Sequence, residues 1–260
     1  MMQVFQLLKQ LFKKLWRENR VIDIHSHIIF DVDDGPNSLE ESLSLLGESY
    51  AQGVTTIVAT SHRRKGMFET PEATIEKQFL LLKGEAEQVY PDLELLYGGE
   101  LYYTSDLIEK LENQLVPTYN NQPFMLLEFS MSTPWQEMLQ AVSTVLRLGL
   151  TPVIAHIERY NALAFNKERV IDLQNMGCYT QVNSNHVLKP KLFGDQEKLF
   201  KKRGRYFLEN DLIDCIASDM HNLHSRPPFM AEAYQVVEDK KGTAIAQKLF
   251  YDNPKIIIGH

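Results

Sequence analysis

Residues 21–36 read VIDIHSHIIFDVDDGP. An apolar, β-favouring lead runs into His25 and His27, and Asp31, Asp33 and Asp34 then crowd a turn closed by Gly35-Pro36. Carboxylates packed this closely repel one another, so the stretch calls for a cation. One short turn does not complete a metal site, and the missing ligands must come from elsewhere in the chain.

The elements that would position them alternate in type. Strands are expected at 21–24, 54–59, 93–97, 124–129, 151–155, 179–182 and 213–217, from runs of β-branched and apolar residues. Helices are expected between them. Ser38-Leu39-Glu40-Glu41 is a capping box opening one to about Gln52, and Thr70-Pro71 opens the next with proline at its first position. Further helices are expected at 105–112, 134–148, 161–176, 196–210, 230–238 and 243–251. Strands alternating with helices imply parallel pairing, and seven such units suggest a closed or nearly closed barrel.

Each expected strand ends in a group able to bind metal: His25 and His27, His62, Glu100, Glu128, His156, then Asn183, Asn185 and His186, then Asp219 and His221. Barrel enzymes build their active sites at this end of the strands. Any single position has a plainer explanation as a surface or capping residue. Glu128, inside the apolar run MLLEFS, is harder to dismiss, because an unpaired buried carboxylate costs several kcal/mol. His224 and His260 stay uncommitted and His186 ambiguous.

Composition narrows the class. A chain of 260 residues with 44% hydrophobic content can build one large domain, a barrel included, or two small ones. The net charge of −7 argues against a nucleic-acid binder, although Arg63-Arg64-Lys65 forms a local basic patch. Cys178 and Cys215 make no disulfide framework and suit a reducing cytosol. Arginine does not stand six positions after either cysteine, which excludes the cysteine-dependent tyrosine phosphatase motif. No apolar run approaches the ~20 residues of a membrane span. Residues 1–20 stand apart as a basic amphipathic helix. It would either pack on the domain of residues 21–260 or dock to an anionic membrane or a partner.

The stretches DIHSHIIFDVDDGP, ATSHRRKGMFETP, YGGELYYT, LLEFS, PVIAHIERY, QVNSNHVLKPKLFG and IASDMHNLHSRPP together resemble the PHP (polymerase and histidinol phosphatase) family. The likeness is greatest to the bacterial manganese-dependent protein-tyrosine phosphatases of capsule and exopolysaccharide loci. The resemblance covers about residues 21–258 and implies an α/β fold, a distorted (β/α)7 TIM-like barrel, here with an N-terminal amphipathic helix added. It implies a cytoplasmic enzyme, peripheral at the membrane if residues 1–20 bind there. Its substrate would be phosphotyrosine on a tyrosine autokinase of a polysaccharide export complex.

It also implies three divalent ions. His25, His27, Glu100 and Asp219 would hold the first, and Glu100, Glu128 and His156 the second. His62, His221 and an acid of the first loop would hold the third, with Asp33 chosen by its spacing and Asp34 as the alternative. A histidine and carboxylate set without thiolate favours manganese or iron over thiolate-type zinc, with cobalt and zinc as further candidates. Arg159 and Arg226, in strand-end loops, could fork onto a phosphate or form structural ion pairs. Arg63 and Arg64 place positive charge at the mouth, and Phe68, Tyr102 and Tyr103 would either flank an aromatic ring or pack the loops. The competing activity is histidinol-phosphate or another small-phosphoester hydrolysis. The competing class is a non-catalytic docking protein at an export complex.

Overall fold

The computed structural model describes residues 20–260; the helix expected over residues 1–20 lies outside them, apart from Arg20. Among the described residues, nine strands follow seven paths. They are β1 (Val21–Ser26), β2 and β3 (Val54–Ala59, His62–Arg63), β4 and β5 (Glu94–Tyr97, Glu100–Tyr102), β6 (Phe124–Glu128), β7 (Thr151–Ile154), β8 (Tyr179–Asn183) and β9 (Cys215–Ala217). All neighbouring strands pair in parallel, in the orders β1-β2-β4 and β3-β5-β6-β7-β8-β9.

The last path returns to the first. Ser26 bridges Met220 in parallel, Asp219 N donates to His25 O (2.8 Å) and His27 N to Met220 O (2.9 Å). The curled sheet therefore has the distorted seven-path barrel form expected from the alternation of elements.

Side chains facing inward from these paths form a compact apolar floor: Ile22, Ile24, Val58, Leu96, Leu126, Val153, Ala155 and Ala217. Ile257 and Ile258 from the C-terminal helix join it. A larger apolar layer lies between the strands and the helices around them. Packing on both faces explains why the strands read as continuous apolar runs rather than as alternating ones.

Most helix ends fall within a few residues of their expected positions. Ser38 Oγ accepts from Glu41 N (3.3 Å), but Glu41 reaches back one residue further than a standard box, to Asn37 N (2.8 Å). The helix expected over 161–176 begins only at Lys167, where Asn166 caps it by accepting from Arg169 N (3.1 Å). The C-terminal helix does not stop near residue 251. A π turn at Lys248–Asp252 widens the backbone ahead of Pro254, which has no N–H to donate, and helix resumes over Asn253–Ile258.

The long helix Lys198–Glu209 lies almost against the short helix Ser184–Val187. A Cβ built on Gly204 would meet His186 O at 2.5 Å. Gly204→Ala should therefore push these two helices apart and destabilise the fold by ~1–3 kcal/mol. Denaturant unfolding measures this, and an unchanged midpoint would show that the contact yields freely.

Candidate metal centre

The strand ends bring nine titratable side chains together. Three overlapping groups have ligand atoms close enough to share ions: His25, His27, Glu100 and Asp219; His27, Asp34, His62 and His221; and His62, Glu100 and Glu128. Glu100 is fully buried and central. Its Oε2 lies 3.3 Å from His25 Nε2, 3.2 Å from His27 Nε2 and 3.0 Å from His62 Nδ1, and its Oε1 lies 2.9 Å from His156 Nε2.

A surrounding layer fixes which nitrogen of each ring faces inward. His27 Nδ1 meets Asp33 Oδ2 at 2.8 Å and His221 Nδ1 meets the Asp219 carbonyl at 2.9 Å. Both partners only accept, so the proton sits on Nδ1 and the Nε2 lone pair turns to the cluster. His25 is held in the same way by Gln181 Oε1 (3.1 Å). Gln181 also accepts from His156 N (2.7 Å) and donates to Asn183 Oδ1 (2.9 Å), and Asn183 Nδ2 donates to Asp219 Oδ2 (2.6 Å). Two ligand-bearing residues, His156 (φ 29°) and Asp219 (φ 53°), stand in the left-handed region that side chains usually avoid. These bonds hold them there.

The result is a site lined by electron pairs. His25 Nε2 and His27 Nε2 are 3.4 Å apart, each with its proton on the far nitrogen, and Glu100 Oε2 is buried without a hydrogen-bond partner. With no cation, protons must take its place. Burial opposes charge on His25 and His62, but Glu100, aided by Asp219 for His25 and Glu128 for His62, pushes both up to about 9. Burial, then repulsion from Glu100, pushes Glu128 up to about 7. His221 falls to about 4 through burial and the nearby His27, and His156 to about 4 through burial and Arg159. The donor set fits divalent cations: histidine nitrogens and carboxylate oxygens, no thiolate, and outer partners for most rings.

Asp33, chosen from spacing as the third-ion ligand, is not in the cluster. Its Oδ2 is held by His27 Nδ1 and His62 N (2.9 Å), and its Oδ1 by Gly35 N (3.0 Å). Asp34 stands there instead, with Oδ1 3.2 Å from His221 Nε2 and 3.5 Å from His62 Nε2. Adjacent residues of one turn point in different directions, and spacing could not distinguish them.

Arg63 is likewise structural. It forks onto Glu72 (2.7 and 3.0 Å) and donates to Ser61 O and to Tyr97 Oη, and Tyr97 in turn bonds Glu72. Arg64 lies over the Tyr102 ring at 4.0 Å, half-exposed at the mouth. Phe68 stacks on His62 at 4.7 Å, whereas Tyr103 packs against Phe129.

Arg159 and Arg226 reach the cluster together. Both Nη2 atoms donate to Asp219 Oδ2, at 2.7 and 2.8 Å, and each guanidinium remains partly exposed toward the mouth. Arg203 secures the turn that carries Arg159 by donating to the carbonyls of Glu158 and Arg159 (3.2 Å each). His186 turns away from the cluster to Glu158 (2.5 Å) and Glu197 (2.9 Å). Asn183 serves as a donor to Asp219, and Asn185 lines a small cavity beside it. Sequence reading missed Gln181. Its one signal was an amide inside the otherwise buried strand YTQVN.

Comparison with known proteins agrees with this geometry. The family model for capsular polysaccharide synthesis, CpsB/CapC, matches residues 21–259. Over 238 residues, 92% of this chain and 98% of the relative, the chain is 61% identical to tyrosine-protein phosphatase CpsB of Streptococcus agalactiae. The corresponding protein of Streptococcus pneumoniae is 58% identical over the same shares. One solved structure, from work on YwqE of Bacillus subtilis and CpsB of Streptococcus pneumoniae described as unique metal-dependent tyrosine phosphatases, superposes with a TM-score of 0.80. It is 27% identical, covering 92% of this chain and 94% of that one. The phosphotriesterase homology protein of Escherichia coli, at 10% identity and a TM-score of 0.58, shares the fold alone. The chain belongs to the CpsB/CapC family of capsular polysaccharide synthesis.

Proposed function

We propose that this protein is a metal-dependent protein-tyrosine phosphatase acting on a tyrosine autokinase that governs capsule synthesis and export. One observation carries the reading: the Nε2 atoms of His25 and His27 and the Oε2 of Glu100 converge in a buried space that only a shared cation or added protons can hold together. Its relatives named as tyrosine phosphatases of capsule synthesis support the substrate class and the kinase partner. Three overlapping donor groups support a reading of three divalent ions, manganese first among candidates, although His62 rather than His156 stands with Glu100 and Glu128. When bound, such ions supply Lewis acidity and a water activated at neutral pH.

The chain's own residues do the rest. Arg159 and Arg226 would grip the phosphate as two planar forks while their Asp219 contact keeps them aligned with the cluster. Arg64, Tyr102 and Phe68 line the approach and suit an aryl ester. Tyrosine, with a pKa of ~10, leaves as a tolerable phenolate, so a strong general acid is not obligatory. Thiol chemistry has no place here, because burial pushes Cys178 up to about 12 and Cys215 well above its ordinary value.

Chelation should therefore abolish hydrolysis of phosphotyrosine peptide and manganese should restore it, while thiol alkylation leaves the rate unchanged. Loss of activity on alkylation with the metal retained would refute the mechanism.

Asp34→Asn should lower bound metal by about one ion per chain, read by elemental analysis. Asp33→Asn and Gln181→Leu should keep the stoichiometry but weaken affinity ~10–100-fold in chelator competition. The opposite pattern at Asp33 and Asp34 would restore the ligand inferred from spacing.

Arg159→Ala and Arg226→Ala should each reduce kcat/KM ~10²–10³-fold with metal content intact. Unchanged kinetics at both positions would make them structural partners of Asp219 only.

A further inference from the structure

We propose that residues 188–197, together with the first turn of the helix Lys198–Glu209, form a docking surface for anionic lipid, with Leu192 and Phe193 entering the apolar layer. Leu192 is 80% exposed and Phe193 86%, the most open large apolar side chains among the described residues. The loop that lifts them is fixed. Gly194 makes a left-handed turn at φ 68°, and Asp195 accepts from Lys191 N (2.8 Å), Glu197 N (3.1 Å) and Lys201 Nζ (3.1 Å). Glu197 is tied in turn to His186 Nε2. An apolar pair held outward by this many bonds is presented, not frayed.

The unpaired charge around the pair is of one sign, because Asp195 is taken up by Lys201 and Glu197 by His186. Lys189, Lys191, Lys198 and Lys202 are exposed and form no ion pair among the described residues, whereas Lys201 is consumed by Asp195. Leu199, half-exposed on the same turn, extends the apolar area. On a chain of net charge −7 this is a local inversion. Lysine is depleted at protein–protein interfaces, where arginine is the enriched cation. Lysines around exposed leucine and phenylalanine instead suit a headgroup layer, where each near the surface changes partitioning roughly fivefold.

The loop leaves strand β8 at the end that carries the metal-binding groups, and Glu197 lines a cavity of about 60 Å³ together with Arg159, Asp219 and Arg226. Lipid docking here would set the mouth of the site beside the bilayer. The inference concerns binding alone and does not depend on the phosphatase reading.

The test uses the full chain with Phe193→Cys carrying an environment-sensitive fluorophore. Cys178 and Cys215 are buried, so the label goes to the loop. Vesicles of phosphatidylcholine alone are compared with vesicles about one-third phosphatidylglycerol. The expected result is a blue shift with the anionic vesicles only, reversed by salt. Alongside it, unlabelled Leu192→Ser/Phe193→Ser and Lys189→Gln/Lys191→Gln/Lys198→Gln/Lys202→Gln proteins should each partition at least ~10-fold less than wild type. Residues 1–20 are common to every variant, so their own affinity cancels in the comparison. Binding without a shift in the label, or equal partitioning of both variants, overturns the proposal. So does equal partitioning joined to slower turnover of a phosphotyrosyl protein in lipid-free buffer, which would give the surface to a protein partner.

Discussion

Glu100 sits fully buried with nitrogen atoms of His25, His27, His62 and His156 within 2.9–3.3 Å of its two oxygens. Left to themselves these groups would hold one another apart, or take up protons until His25 and His62 were charged. A small, highly charged cation turns the same distances from repulsion into coordination. The barrel supplies what such a cation needs, namely donors that arrive from six of the seven strand paths and an apolar floor beneath them. The stiffness comes from strands packed on both faces, which keep the donors from swinging away when the ions are absent.

The second layer matters as much as the first. Asp33, Gln181 and the Asp219 carbonyl each fix one ring, and Gln181 links His25, the backbone of His156 and, through Asn183, the carboxylate of Asp219. The two arginines on Asp219 offset its negative charge while keeping much of their hydrogen-bonding capacity free. They bring positive charge to the mouth of a chain that is acidic as a whole, and so favour an anionic substrate at this one place.

Most of the donor set was legible in the sequence because each ligand stands where a strand stops, and strand ends are marked by a change from apolar to polar residues. The barrel was legible for the same reason. What could not be read were choices made by the backbone between neighbours. In the first loop, where Asp31 adopts φ 57°, Asp34 reaches the cluster from its open side while Asp33 is buried behind the His27 ring. Arg63 looked free because its partner Glu72 lies beyond an intervening loop, and His186 was ambiguous because Glu158 and Glu197 flank it only after folding. Gln181 gave little sign, since a buried amide in a strand declares its partners only in three dimensions.

The barrel closes through the ligands themselves. Ser218 Oγ donates to His25 O, between residues 193 positions apart, and the neighbouring Asp219 and His27 amides complete the seam. Strand β9 is only three residues long and adds little of its own to this join. A cation shared by His25 and Asp219 would therefore act as a clasp between the two ends of the fold, tying up a loop that spans most of the chain. Metal supply then becomes a matter of lifetime as well as catalysis. A protein loaded with ions would resist opening along this seam, and one starved of them would expose it first to proteases.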